Sequence, residues 1–166
     1  MLFALLPELS MASIVIIDCG VGNHRSVWNA LKLIGQSAEI TSDPEVIKKA
    51  SHLIFPGVGS FAEGMAGVTK RNLSPLLTDE VLKKKKPILG ICLGMQLFAT
   101  EGREHGTHQG LGWIPGVVEI IDTKTSGLRL PHIGWNDVTI NQEHPITQGF
   151  TGKPSFYFVH SYHLLP

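Results

Sequence analysis

The stretch Ile88-Leu89-Gly90-Ile91-Cys92-Leu93-Gly94 decides the fold class, because a short apolar run without alternation leads straight into a glycine-flanked cysteine. Continuous apolar runs are typical of strands buried on both faces of a parallel sheet. Two similar runs precede it, Ile14–Ile17 and Leu53–Phe55, each followed by glycines. Helical patterns separate these runs, so the sequence predicts an α/β layered domain with a mostly parallel sheet.

Several element boundaries follow from local chemistry. The pattern predicts a helix over Ser26–Ile34, with Val27, Ala30, Leu31 and Ile34 on one face and Gly35 as its stop. A second strand is predicted at Ala38–Thr41, and Asp43 with Pro44 and Glu45 is typical of a helix start. Three later runs are separated by Gly, Pro and Asn turns, which favours antiparallel additions to the sheet: Val117–Ile121, Asp137–Ile140 and Phe156–Val159.

The length and composition fit one globular domain. The chain has 166 residues, 43% of them hydrophobic, and its 14 Lys+Arg balance its 14 Asp+Glu. Zero net charge gives no footprint for nucleic acid or an anionic membrane. The run Lys83–Lys86 is predicted to be a solvated helix end rather than a nucleic-acid patch.

The N-terminal residues and the cysteines bear on localisation. Residues 1–12 are predicted to be an N-terminal extension and 13–166 the functional domain; Met11 is an alternative start, in which case residues 1–10 are not native. The apolar N-terminus lacks the charged start of a signal peptide and is too short to span a bilayer. Cys19 and Cys92 lack zinc or disulfide spacing. The chain is therefore expected to be cytoplasmic.

Three glycine-bearing loops are predicted at one sheet edge, where ligands bind in open α/β folds. They are Cys19–Asn23, Pro56–Gly59 and Gly90–Gly94. The first has Arg25 where a dinucleotide fingerprint needs its third glycine, which argues against nucleotide binding.

Gly-x-Cys-x-Gly between a strand and a helix has the build of a nucleophile elbow. A cysteine at a helix N-terminus is favoured as thiolate. The N–H of Leu93 and the glycine loop Gly57–Gly59 are candidate oxyanion donors. A buried structural cysteine and a plain tight turn remain the alternatives.

Six motifs together resemble one family. They are Ile16-Ile17-Asp18 with Gly20, Gly22-Asn23 and Arg25-Ser26-Val27; residues 55–61; residues 90–96; residues 110–116; residues 131–136; and residues 156–162. They are similar to the glutamine amidotransferase subunit of imidazole glycerol phosphate synthase, a class I (Cys-His-Glu) amidotransferase of histidine biosynthesis. The resemblance implies a three-layer, flavodoxin-like class I amidotransferase fold with antiparallel additions.

The resemblance also implies the roles of single residues. Cys92 is the nucleophile; Gly57, Val58, Gly59 and Leu93 form the oxyanion hole; Gln96, Ser161 and Tyr162 bind glutamine; Trp135 and Asn23 face the partner. As alternatives, Gln96 is a solvent-facing helix residue, Ser161 and Tyr162 are strand-end residues, and Trp135 is a core aromatic.

The activity implied is hydrolysis of glutamine to glutamate and ammonia. The ammonia passes to a (β/α)₈-barrel cyclase in a heterodimer, and no metal or organic cofactor is implied. A paralogue that feeds another synthase, such as one amidinating a surface sugar, is one alternative. A non-catalytic partner-binding subunit is another.

One part of the family pattern does not occur in this sequence. The family carries its catalytic His and Glu in a Phe-His-Pro-Glu type motif, which this chain lacks. His160 is the naive geometric choice of base, but the resemblance argues against it. The expectation is therefore a C-terminally incomplete domain whose 166-residue form is inactive.

Overall fold

The computed structural model describes residues 13–124 and 127–166. The predicted extension 1–12, with its alternative start Met11, lies outside the described residues. The chain divides into two compact units: one runs to Val118 and takes up the chain again at Leu164–Pro166, and the other is Glu119–His163. No helix in the described part of the chain is long and apolar enough to cross a membrane.

The first sheet has four strands, all parallel, in the order β2-β1-β3-β4. This order matches the flavodoxin-like switch-point arrangement. Its strands are β1 (Ile14–Ile17), β2 (Ala38–Thr41), β3 (His52–Gly57) and β4 (Ile88–Cys92).

Burial of the first sheet follows strand position. Central β1 and β3 are buried almost throughout, as their apolar runs predict. Strand β4 is less buried, with Leu89 39% and Ile91 37% exposed. It has a neighbour on one side only among the described strands, so its apolar side chains are less covered than predicted.

Four described α-helices connect these strands and a fifth follows β4: α1 (His24–Leu33), α2 (Pro44–Lys49), α3 (Phe61–Lys70), α4 (Leu73–Thr78) and α5 (Leu93–Gln96). Helix α2 has the predicted start, with Asp43 accepting the N–H of Glu45 at 2.8 Å. Helix α1 begins two residues before the prediction, because Asn23 supplies its cap. Ile34, predicted on its apolar face, is 70% exposed.

A π-helix, Asp79–Lys83, continues α4 towards the lysine run. Here the prediction of a solvated run was wrong in one respect. The Lys86 side chain is only 9% exposed and bonds the buried carboxylate of Glu80 at 2.7 Å.

Two further sheets complete the described fold. One has the order β10-β7-β5-β6, from β5 (Ala99–Gly102), β6 (His108–Gln109), β7 (Ile114–Ile120) and β10 (Tyr162–Leu165). The other pairs β8 (His132–Asp137) with β9 (Ser155–His160), and a 3-10 turn, Pro145–Thr147, lies between them.

The predicted antiparallel additions are confirmed for β9, which pairs antiparallel with β8, whereas β7 pairs parallel with its neighbour β5. The strand predicted at Asp137–Ile140 is displaced, since β8 ends at Asp137. Pairing with β9 sets the end of β8 at Asp137. The local sequence carries no information about such a distant partner.

Candidate active site

Three loops follow adjacent parallel strands and so lie at one edge of the first sheet. Strands β1, β3 and β4 are neighbours, and each ends at one of the glycine-bearing loops of the sequence. The carboxyl edge of such a sheet is where ligands bind. The predicted convergence of the loops on this edge is confirmed.

Cys92 has the strained backbone of a nucleophile elbow. Its φ is 54° and its ψ is −119°, a region that non-glycine residues seldom adopt. The residue is exposed at the end of β4, and Leu93 immediately behind it is 2% exposed and begins α5. Such strain clusters at functional sites, so the geometry favours a reactive cysteine over a packing one.

Two glycines bring the end of β3 against this elbow. A Cβ on Gly94 would lie 1.8 Å from the carbonyl oxygen of Phe55, and one on Gly57 would lie 2.7 Å from the Gly94 nitrogen. Gly57 is also the register partner of Cys92. We call Gly57–Gly59 the oxyanion loop after its predicted role, which stays a prediction; its first residue lies beside the cysteine.

The oxyanion loop is followed by a capping box that the sequence analysis missed. Ser60 caps α3 and exchanges hydrogen bonds with Glu63, and Glu104 accepts the N–H of Phe61 at 2.8 Å. Hydrogen bonds from the Ser60 backbone and hydroxyl lower the pKa of Glu63. The Ser-x-x-Glu spacing was a readable signal, whereas the Glu104 contact spans 43 residues and leaves no local pattern.

Side chains of Asp18 and Arg71 hold the start of the first loop, Cys19–Asn23. Asp18 accepts the N–H of Gly20 at 2.8 Å, and Arg71 donates to the carbonyl of Cys19 at 2.8 Å. Burial raises the pKa of the Cys19 thiol. Asn23, predicted to face a partner, is exposed and uses its side-chain oxygen to cap α1 at Ser26.

Gln96 ends α5, the single helical turn after the nucleophile. It is 9% exposed, which excludes the alternative that it is a solvent-facing helix residue. A buried amide on the helical turn that directly follows Cys92 is suited to orienting a polar substrate. Its role in glutamine binding stays a prediction.

The remaining predicted residues belong to the unit Glu119–His163. Ser161 accepts the N–H of Ile121 through its carbonyl at 2.9 Å, and Tyr162 opens β10. Trp135 is 71% exposed, so it is not a core aromatic. The roles predicted for these residues stay predictions.

His160 has both ring nitrogens engaged within this unit. One bonds the carbonyl of Tyr162 at 2.9 Å and the other bonds His132 at 3.0 Å. Since the carbonyl only accepts, Nδ1 of His160 donates the bond to Tyr162. That His160 is not the catalytic base stays a prediction.

Residues 15–166 match the model of the family described as glutamine amidotransferase class-I. The chain belongs to this family. It is similar to imidazole glycerol phosphate synthase subunit HisH 2 of Pseudomonas aeruginosa, with 43% identity over 153 residues, 92% of this chain and 75% of the relative. It is also similar to subunit HisH of Syntrophotalea carbinolica (45% over 158 residues; 92% and 76%) and of Archaeoglobus fulgidus (44% over 151 residues; 91% and 73%).

Solved structures agree with the class I amidotransferase fold. A glutamine amidotransferase crystal structure superposes with a TM-score of 0.69 at 18% identity, covering 90% of this chain and 72% of the other. A glutamine amidotransferase from Thermotoga maritima gives a TM-score of 0.61 at 17% identity, covering 93% and 62%. The predicted fold class is confirmed.

Proposed function

We propose that this class I amidotransferase is the glutaminase subunit of an imidazole glycerol phosphate synthase in histidine biosynthesis, and that residues 13–166 are its amidotransferase domain. The observation that carries the proposal is the elbow. Cys92 is exposed, has a φ of 54° and lies beside Gly57 of the oxyanion loop on the adjacent strand. The similarity to three HisH subunits over nine tenths of the chain gives the synthase and the pathway.

The proposed chemistry is acyl transfer through a thioester. The Cys92 thiolate attacks the side-chain amide carbon of glutamine, forming a C–S bond while the carbonyl pair moves to oxygen. N–H groups of Leu93 and of the oxyanion loop stabilise the oxyanion. The Leu93 N–H is available because an amide in the first turn of a helix has no intrahelical acceptor. Collapse expels the nitrogen, which takes a proton and leaves as ammonia, and water then hydrolyses the thioester to glutamate.

The test is ammonia release by the full-length protein in complex with its synthase partner. Cys92→Ala should lower kcat by at least roughly three orders of magnitude, since the covalent step is lost. Cys19→Ala is the matched control, because that thiol is buried, and it should keep the wild-type rate. A Cys92→Ala complex with wild-type glutaminase would reject the proposal.

We further propose that the partner is a (β/α)₈-barrel cyclase bound as a heterodimer. Support comes from one face of the β8–β9 hairpin, where Ile133 pairs with Val159 and Trp135 with Tyr157. These four side chains are between 56% and 71% exposed. A contiguous apolar face of this kind marks an interaction surface, and the relatives are named as subunits of a synthase.

Trp135→Ala should weaken cyclase binding roughly thirtyfold or more, the loss typical of a buried aromatic anchor. Titration calorimetry with the purified cyclase measures it. Ile146→Ala, which removes a comparably exposed apolar side chain from the 3-10 turn, is the control and should bind as wild type. Equal affinities for the two variants would contradict the proposed surface.

We assign Asn23 to the same partner. We also assign the protein to the cytoplasm, where its two free cysteines stay reduced.

A further inference from the structure

The oxyanion loop is held at its far end by a pair of residues that we call the Ser60–Glu63 clasp. The Glu63 carboxylate accepts the Ser60 N–H at 3.1 Å and the Ser60 hydroxyl at 2.8 Å. The Ser60 oxygen in turn accepts the N–H of Glu63 at 3.3 Å. Ser60 is therefore fixed through both its backbone and its side chain.

The next amide along the chain is fixed as well. The Phe61 N–H donates to Glu104 at 2.8 Å, and the Phe61 ring is fully buried. Two consecutive amides, at Ser60 and Phe61, are thus each bound by a carboxylate. The carboxylates of Glu63 and Glu104 therefore hold the segment after the oxyanion loop in one conformation.

Between this anchor and β3, the contacts of the described residues hold Val58 and Gly59 less firmly. Gly57 is buried in register with Cys92, but Val58 is 53% exposed and Gly59 has a φ of +100°. Glycine in that region has the widest conformational freedom of any residue. The Glu63 carboxylate oxygen lies against it, 3.1 Å from where a Cβ would stand.

We infer that the Ser60–Glu63 clasp positions the oxyanion loop. It selects the Gly59 conformation in which an N–H group of the loop points at the oxyanion that forms on the substrate. This inference rests on the proposed glutaminase function and adds two positioning residues to it. Loosening the clasp restores alternative Gly59 conformations, so fewer molecules have the donor in place. Glutamine binding elsewhere in the site is unaffected.

The test compares Ser60→Ala and Glu63→Ala with wild type, using the full-length protein in complex with its synthase partner. The expected result is a fall in kcat of roughly tenfold, since one oxyanion donor is worth about a hundredfold or more, with KM for glutamine within about twofold. Alkylation of Cys92 by iodoacetamide passes through no oxyanion and should keep its rate. Ser60→Thr retains the capping hydroxyl and should restore kcat.

Asp43→Ala is the matched control, because it removes the N-cap of α2 in the same way but away from the loop. It should lower the melting temperature about as much as Ser60→Ala and leave kcat unchanged. If Glu63→Ala fails to fold, Glu63→Met replaces it, because its side chain has a similar length but no oxygen to accept the two Ser60 bonds. The inference is overturned if the clasp variants keep kcat, or if kcat and alkylation fall together. A wild-type complex with no glutaminase overturns the proposed function as well.

Discussion

The two thiols of this chain lie in opposite surroundings. Cys92 is exposed on a strained turn, whereas Cys19 has no exposed surface and its pKa is raised by burial. The thiolate is the reactive form of cysteine. Burial therefore protects Cys19 twice, by blocking access and by disfavouring ionisation.

Iodoacetamide should accordingly modify one thiol of the folded protein, and peptide mass spectrometry should map the adduct to Cys92. In denaturant both cysteines should react. Cys92→Ala should take up no reagent while folded. An adduct on Cys19 under native conditions would contradict the burial argument.

At the level of single residues, sequence predicted best what local geometry dictates. The turn at Cys92 needs glycines on both sides, and these are visible in the run Gly90–Gly94. The burial of Gln96 and the exposure of Trp135 were left open, because both depend on neighbours distant in the chain.

Among the elements, the π-helix Asp79–Lys83 has the most deeply buried charge of the described chain. Glu80 is 1% exposed, and its carboxylate receives Lys84 at 2.6 Å and Lys86 at 2.7 Å. Burial opposes ionisation of Glu80, but the hydrogen bonds from both lysines outweigh it and lower its pKa. Lys86 also donates to the carbonyls of Ile47 and Lys48, so the cluster ties the π-helix to the end of α2.

Glu80→Ala should therefore lower the free energy of unfolding by roughly 3 kcal/mol, because it leaves the buried Lys86 ammonium without its carboxylate. Urea denaturation followed by circular dichroism measures the change. Glu45→Ala is the control: it removes an exposed partner of Lys48 and should cost about 0.5 kcal/mol. Similar losses for the two variants would show that the Glu80 cluster adds nothing beyond a surface pair.

Elements with a continuous apolar run were predictable, and those defined by a distant partner were not. Strands β1 and β3 read directly from Ile14–Ile17 and Leu53–Phe55. Strand β8 contains Gly134 and polar residues, and its apolar Ile133 and Trp135 point to an exposed face. Its strand character comes from pairing with β9, which periodicity cannot reveal.

For the molecule as a whole, the formal charges balance at neutral pH, and the negative ones are the carboxylates of Asp and Glu. The 14 Asp and Glu offset 14 Lys and Arg, with 8 His in addition. Hydrogen bonds lower the pKa of Glu63 and Asp79 as well as that of Glu80, where they outweigh the opposing effect of burial. In the unfolded chain these carboxyls take up protons at higher pH than in the folded one.

This difference sets the sign of the pH dependence of stability. A carboxyl with a lowered folded pKa stabilises the fold above its unfolded pKa and loses that contribution as the pH falls. The free energy of unfolding should thus stay level from pH 7 to about 4.5, the ordinary value of a Glu carboxyl, and fall below it. Urea titrations at successive pH values measure the curve.

Two comparisons separate this cause from general charge repulsion in acid. Added salt screens repulsion between exposed charges but acts little on a buried pair, so much of the loss should persist in salt. Glu80→Gln should start less stable and lose less on acidification, because its side chain takes up no proton. A wild-type protein whose stability stays constant down to pH 3, or a Glu80→Gln slope equal to that of wild type, would contradict the assignment of acid sensitivity to these carboxylates.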